Sequence, residues 1–505
     1  MDKLSIIVVA VVFLVLTAGI VSYVMSEKVM HDEEMYITAG VLIQDYSLYT
    51  DFSYLQMPYL PLLYCTVYHL TGTERYLLTA RIISIIFTLI SAAFVFLLAY
   101  KLTTDMFVAI CTLLFFTLNE TMIWTMGFAW NAIMPITFSL IGIYIFISAV
   151  GEEKVSPVRL LIVGVLLALA AGMKLYYAIV FIPFIIVSVL YPKSFGFRIR
   201  LVKVLLPLLA GFLIGSLPVL YYMARDFDVF WFNNVGVHFY NELAVDGVEL
   251  MSLGAKLQAG LKYLGQHTTL VLFVGVLFLV LMAMRSIDTL KRKLTKETLL
   301  LILLVVLTIP VSFAGSPIWE HYFAVPLPFV ILLIPLLYKI LPPERREIVQ
   351  LLLICLIVVV MLYGGPRLYD RIDRLAATKS WEPVQVHREA RAMREYVGEL
   401  KEGRKVATLY PLYALEAGLP VYPEFSSGVF LYQIGDMLDE EARTRYVTTS
   451  PNTLIDFLNE NPPGLLITVM LRNFEKPFFE YAEQSNLEEK EKLFLGYTLF
   501  VNDDL

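Results

Sequence analysis

Charge is what this sequence has least of. Asp, Glu, Lys and Arg together make up 17% of it, where a soluble domain carries roughly 25%, and long stretches hold none. The net charge of −6 gives no basic footprint, so nucleic acid is not an expected partner. Cysteine is scarcer still. Cys65, Cys111 and Cys355 all sit in apolar surroundings and read as buried thiols, not as a disulfide framework. Several chemical signatures are missing too: no Walker-type loop, no GxGxxG after a strand, no paired CxxC, no HExxH and no Asp-x-Asp of a soluble nucleotide-sugar domain. A phosphorylated substrate is therefore not expected to be gripped as a free nucleotide. No internal repeat of the transporter type is visible either.

What is present is apolar. Hydrophobic residues make up 58% of the chain and the mean hydropathy is +0.71. A helix needs about 20 apolar residues to cross a bilayer. Eleven stretches approach this, near 4–25, 76–99, 105–123, 130–150, 158–172, 174–191, 204–224, 268–284, 298–314, 322–338 and 348–364. The first is too long for the core of a secretory signal and lacks a small-residue cleavage site, so it reads as an anchor. The chain is thus expected to be a polytopic α-helical membrane protein of about eleven transmembrane helices, over residues 1–365, with a soluble α/β domain over 366–505.

Basic residues set the expected orientation. With the N-terminus cytoplasmic, Lys193, Arg198, Arg200 and Lys203 fall inside, as do Arg285, Lys291, Arg292, Lys293 and Lys296, and later Lys339, Arg345 and Arg346. The first outer loop, 26–75, instead holds Asp32, Glu33, Glu34, Asp45, Asp51 and Glu74 against Lys28 and Arg75. An odd number of spans places the C-terminal domain outside, at a plasma membrane or one of endoplasmic-reticulum type.

Three outer segments are too long to be mere connections. Loop 26–75 mixes acids with tyrosines, and Tyr59–Tyr64 suits a short helix lying on the membrane. Loop 225–267 carries Asp226, Asp228, Trp231, Asn233, Asn234, His238, Asn241 and Glu242. In the tail, helices are expected around 382–402, 411–418, 452–460 and 475–484, and strands at 405–410, 464–469 and 493–501.

Four clusters could carry chemistry. His31-Asp32-Glu33-Glu34 follows the first span. It reads either as an acidic helix start with Asp32 as N-cap, or as a carboxylate placed to take a proton from a nucleophile. Arg81 lies about five residues into the second span. It either snorkels to the interface, or pairs with a first-loop carboxylate or a lipid phosphate. Lys174, in Gly172-Met173-Lys174, puts a cation on the outer side against the inside bias. An anionic partner such as a phosphate would explain it, and so would an interfacial anchor. His321, in Trp319-Glu320-His321-Tyr322-Phe323, is an interfacial residue, a hydrogen-bonding partner for phosphate or sugar, or a metal ligand.

In this order the motifs resemble those of the C-type membrane glycosyltransferases (GT-C fold), in the broad group holding protein O-mannosyltransferases and the lipid A aminoarabinose transferase. The resemblance rests on Asp32-Glu33 with Tyr36, Gln56 and Pro58; on Leu78-Thr79-Ala80-Arg81-Ile82-Ile83-Ser84; on Gly172-x-Lys174; on the outer segment from Phe232 to His238; and on His321-Tyr322-Phe323 before Pro326 and Pro328. It covers about residues 1–340. It implies transfer of a sugar from a polyprenyl or dolichyl phosphate to a protein, lipid or glycan acceptor, with inversion. Asp32 is then the base with Glu33 beside it, Arg81, Lys174, His321 and Tyr322 bind the donor phosphate, and Gln56, Asn131 and His238 contact sugar or acceptor. No cofactor is implied for certain, and a divalent metal is left open. The family often has a second acid at the start of the fourth span. Here Trp130-Asn131-Ala132 stands there, and the nearest acid is Glu120. A secondary transporter and a non-catalytic lipid-binding relative are the rival readings. The first suffers from the scarcity of mid-span ionisable groups; the second is motivated by Asn131.

Overall fold

A backbone inside a bilayer has only itself to hydrogen-bond with, and helices occupy all eleven apolar stretches. The structure is a computed structural model that describes residues 3–244, 251–284, 295–315, 317–469, 473–494 and 496–501. Arg285, Lys291, Arg292 and Lys293, used above for orientation, lie outside the described residues. Four helices are long and apolar enough to cross a membrane alone: Lys3–Ser26 (α1), Tyr76–Thr103, His267–Met284 and Pro343–Tyr369. Two further candidates are bent pairs, Met106–Thr117 with Glu120–Met126 at 64° and Phe197–Gly215 with Leu217–Arg225 at 52°. The first pair breaks where the Asn119 side chain accepts from Met122 N and restarts the helix. Shorter apolar helices lie at Ile133–Ala149, Pro157–Met173, Leu175–Leu190 and Leu327–Ile340. The protein is a polytopic helical membrane protein.

Packing follows small residues. The Pro157–Met173 helix lies against Leu206–Gly215 with backbones almost touching. A Cβ on Gly211 would stand 1.9 Å from the Leu161 carbonyl oxygen, and one on Gly164 2.1 Å from that of Leu208. The Tyr76–Thr103 helix packs on Met106–Thr117, Ile133–Ala149 and Leu327–Ile340.

After α1 the chain enters α2 (His31–Leu42), which is largely buried. Met30, not Asp32, is the N-cap, and it makes no side-chain cap bond. Asp32, Glu33 and Glu34 fill the first turn instead, where unsatisfied N–H groups favour acids. The expected short surface helix runs on as α3 (Tyr59–Thr71) and buries Tyr59, Leu60, Pro61, Tyr64 and Tyr68, packed on α2 and the Pro157–Met173 helix.

The tail holds helices Glu382–Val397, Pro411–Glu416, Leu454–Glu460 and Lys476–Gln484 and a four-stranded sheet. Strands β1 (Val406–Thr408), β2 (Leu465–Thr468), β3 (Glu488–Phe494) and β4 (Tyr497–Val501) lie in the order β1-β2-β4-β3, with β1 and β2 parallel and the rest antiparallel. The expected strand 493–501 is thus the turn and second half of a hairpin. Its partner β3 begins Glu-Glu-Lys-Glu-Lys, which reads as a solvated run. As an edge strand it needs such charges to discourage pairing with other chains.

The tail is fastened to segments 26–75 and 225–267 by charge. Lys28 donates to Glu382 at 2.8 Å, Arg391 pairs with Glu74, and Arg445 reaches Asp226 and Asp228 at 3.2 Å each. The buried Glu416 accepts from Leu77 N at 2.8 Å and meets His387 Nδ1 at 2.5 Å. Glu416 has its carboxyl raised by burial, partly offset by His387.

Candidate active site

Successive residues of a helix point about 100° apart, so the three acids of α2 go three ways. Glu33 turns inward. Its carboxylate takes a bidentate pair from Arg81, Nε to Oε1 at 2.9 Å and Nη2 to Oε2 at 2.7 Å, and accepts from Ala129 N at 2.8 Å. Arg81 Nη1 donates to the carbonyls of Val24 at 2.9 Å and Glu27 at 2.7 Å. Both side chains are fully buried. Neither snorkelling nor phosphate binding describes Arg81, and Glu33 is sealed off from any substrate; the pair ties α2 to the second span.

Glu34 turns to the tail. It lies 3.9 Å from His31 Nδ1, and its carboxyl is raised by burial and lowered again by His31 and Tyr413. The His31 ring lies 5.8 Å from that of Tyr410.

Asp32 turns to Lys174. Burial raises its carboxyl above the usual range, with Lys174 and then His31 pulling it back. Lys174 ends the Pro157–Met173 helix in an extended conformation. The turn is shaped by Gly172: a Cβ there would fall 2.3 Å from the Tyr59 ring. Lys174 is only 6% exposed. Its ammonium stands 5.0 Å from the Tyr176 ring and 6.0 Å from that of Tyr322, and it makes no ion pair among the described residues.

His321 and Tyr322 close the group, in a single helical turn at Glu320–Tyr322. The His321 ring lies 4.9 Å from Trp130 and 4.6 Å from Tyr322. Burial, then Lys174, holds its imidazole well below its usual pKa, so it is neutral near pH 7. His238 is shifted down for the same two reasons. Asp32 and His321 are partly exposed and His238 exposed, yet burial is the main cause of each shift. Each is thus crowded by neighbouring atoms while part of it still meets solvent.

Asn131, fully buried, holds two parts of this group together. Its Nδ2 donates to Gln56 Oε1 at 3.2 Å and to the Met173 carbonyl, next to Lys174, at 3.3 Å. Its Oδ1 is buried with no partner. Asp at this position would supply an acid but would set a carboxylate against two carbonyl oxygens. Asn131→Asp is therefore expected to lower turnover by roughly 10- to 100-fold, the cost of unmade buried hydrogen bonds, measured beside Asn131→Ala. Turnover at or above wild type would remove the positioning role.

Glu120 is not a substitute acid. It accepts from Thr268 N at 3.0 Å and Thr268 Oγ1 at 3.2 Å while its own N–H donates to Thr268 Oγ1 at 2.8 Å, stapling two helices. Asn119, which begins the glycosylation-type sequon Asn119-Glu120-Thr121, is buried and donates to Thr269 at 3.0 Å. Sequence reasoning passed over Tyr176 and gave Tyr36 no role. The Tyr36 phenol is raised by burial and then by Asp32, Tyr54, Tyr176 and Tyr322. Its position four residues after Asp32 is the signal that places both on one helix face. Among the described residues no group of three or more His, Cys, Asp or Glu side chains could hold a metal ion.

No family model and no curated protein matches this sequence. Its structure is similar to that of ArnT from Cupriavidus metallidurans bound to undecaprenyl phosphate, with a TM-score of 0.64 and 12% identity over 100% of this chain and 99% of that one. The apo ArnT structure gives the same TM-score and identity over 99% and 98%. The chain therefore has the C-type glycosyltransferase fold along its whole length.

Proposed function

We propose, on the premise of that shared fold, that this protein transfers a sugar from a polyprenyl- or dolichyl-phosphate donor to a protein, lipid or glycan acceptor at the outer membrane face. The observation that supports the reading most is the buried Lys174, which acts electrostatically on Asp32, His321 and His238 and stands 6.0 Å from the Tyr322 ring. In this reading residues 1–365 cross the bilayer eleven times from a cytoplasmic N-terminus, and 366–505 form an extracytoplasmic α/β domain.

Asp32 accepts the proton of the acceptor nucleophile as that atom bonds to the anomeric carbon. The bond from that carbon to the phosphate oxygen breaks, and its electron pair leaves on the lipid phosphate. Attack opposite the leaving group inverts the centre. Lys174 meets the negative charge that grows on the phosphate, and neutral His321 and Tyr322 hydrogen-bond to it. Gln56 and His238 face sugar or acceptor, Asn131 sets Gln56 and the Lys174 turn, and the Glu33–Arg81 pair fixes the helix that bears the base.

Undecaprenyl phosphate, the ligand of the similar ArnT structure, is the natural probe. Lys174→Met is expected to weaken its binding roughly 10- to 100-fold, the worth of about 1.5–3 kcal/mol for hydrogen bonds to a charged group. Titration of the purified protein in nanodiscs reads this directly. Equal affinity in the two proteins would remove Lys174 from the phosphate site.

A further inference from the structure

The helix Leu253–Leu264 is built the wrong way round for a loop in water. Its apolar residues Leu253, Leu257 and Leu261 fall every fourth position, hence on one face, and are 73%, 50% and 70% exposed. The face beside this stripe is the one that packs. Gly260 is buried against Phe313 and Phe323, the Tyr263 ring lies 5.7 Å from Phe323, and Lys256 Nζ donates to the Phe313 carbonyl at 3.4 Å. Only Gly265 and Gln266 separate this helix from the span His267–Met284, whose Leu270, Val274, Leu277 and Leu281 are exposed in the same way. An exposed apolar stripe thus lies two residues before a candidate membrane span that has an exposed apolar flank of its own.

We propose that Leu253–Leu264 is a membrane-surface helix whose Leu253, Leu257 and Leu261 side chains sit in the outer leaflet, at the boundary of headgroups and acyl chains. The occupant of this face is lipid, because only two residues tether the helix to the candidate membrane span His267–Met284. A helix with one strongly apolar face and a polar remainder lies in the interface with that face buried about 5–10 Å deep. Its protein side grips Phe323, so its depth fixes the segment Trp319–Phe323, and with it His321 and Tyr322, at headgroup level. This surface stands whether or not the protein transfers a sugar.

Spin labels on the full-length protein in phospholipid nanodiscs test it, after Cys65, Cys111 and Cys355 are replaced by Ala. Single cysteines are placed at Leu257 and Leu261, with Leu277→Cys as the lipid reference and Glu440→Cys, exposed in the tail, as the water reference. Labels at 257 and 261 are expected to collide with dissolved oxygen and to be screened from a water-soluble nickel complex, as at 277. Nickel collisions like those at 440 would overturn the proposal in favour of a helix in water. Shielding from both reagents would overturn it in favour of a covering protein surface.

Discussion

Asp32→Asn is expected to lower transfer by about 10²–10⁴-fold, the usual contribution of a positioned general base. Donor binding should stay near wild type, because Asn keeps the shape and leaves Lys174 in place. Two further readouts separate loss of a base from loss of fold. Burial raises the Asp32 carboxyl, with Lys174 and His31 only partly restoring it. Activity that needs the carboxylate therefore rises with pH through that raised value, above the ordinary carboxylate range, and the rise should vanish in the variant's residual activity. The sign for stability is opposite. A carboxyl whose pKa is higher folded than unfolded weakens the fold progressively as pH climbs between the two values and stays costly above both. Asn carries no such cost, so the variant should melt at or above the wild-type temperature at neutral pH, and the difference should close in acid. A variant that transfers normally, or that loses transfer only because it melts early, would contradict the role.

The second large effect is on the fold. Arg81 and Glu33 are both fully buried and spend their polar atoms on each other and on the backbone groups of Val24, Glu27 and Ala129. Removing one partner strands a charge, which costs about 3–5 kcal/mol for a buried pair. Arg81→Met is therefore expected to destabilise the protein by that amount and to lower activity only in step with the folded fraction. Arg81→Met combined with Glu33→Leu removes both charges and should recover a large part of the loss, since replacing a whole buried pair with apolar residues is often neutral. Thermal unfolding in detergent compares the two. If Arg81→Met melts like wild type but no longer binds undecaprenyl phosphate, Arg81 belongs to the phosphate site after all.

Much of this was legible in the sequence. Long apolar runs fix helices because a bilayer leaves the backbone no alternative, and each run carries helix, though only four helices, or six with the bent pairs, are long and apolar enough to cross a membrane. Lys174 stood out because a cation on the side expected to be outer and acidic asks for an anion. The rest depended on angles that a sequence does not print. Three consecutive carboxylates are equivalent on paper, and only the start of α2 at His31 decides that Asp32 faces Lys174 while Glu33 faces Arg81. Had Asp32 been the cap, all three would have turned. Asn131 read as a missing acid until its amide was seen between Gln56 and Met173. Strand β3 was hidden by its charges, which suit an edge.

The most direct measurement of the central claim is release of free polyprenyl phosphate by the purified protein in lipid, offered a panel of polyprenyl-phosphate sugars with protein, lipid and glycan acceptors, with Asp32→Asn beside it. The account predicts turnover of at least one donor by the wild type and its loss in the variant. Undiminished release by the Asn variant, or a folded wild type that neither binds nor consumes any donor, would contradict it.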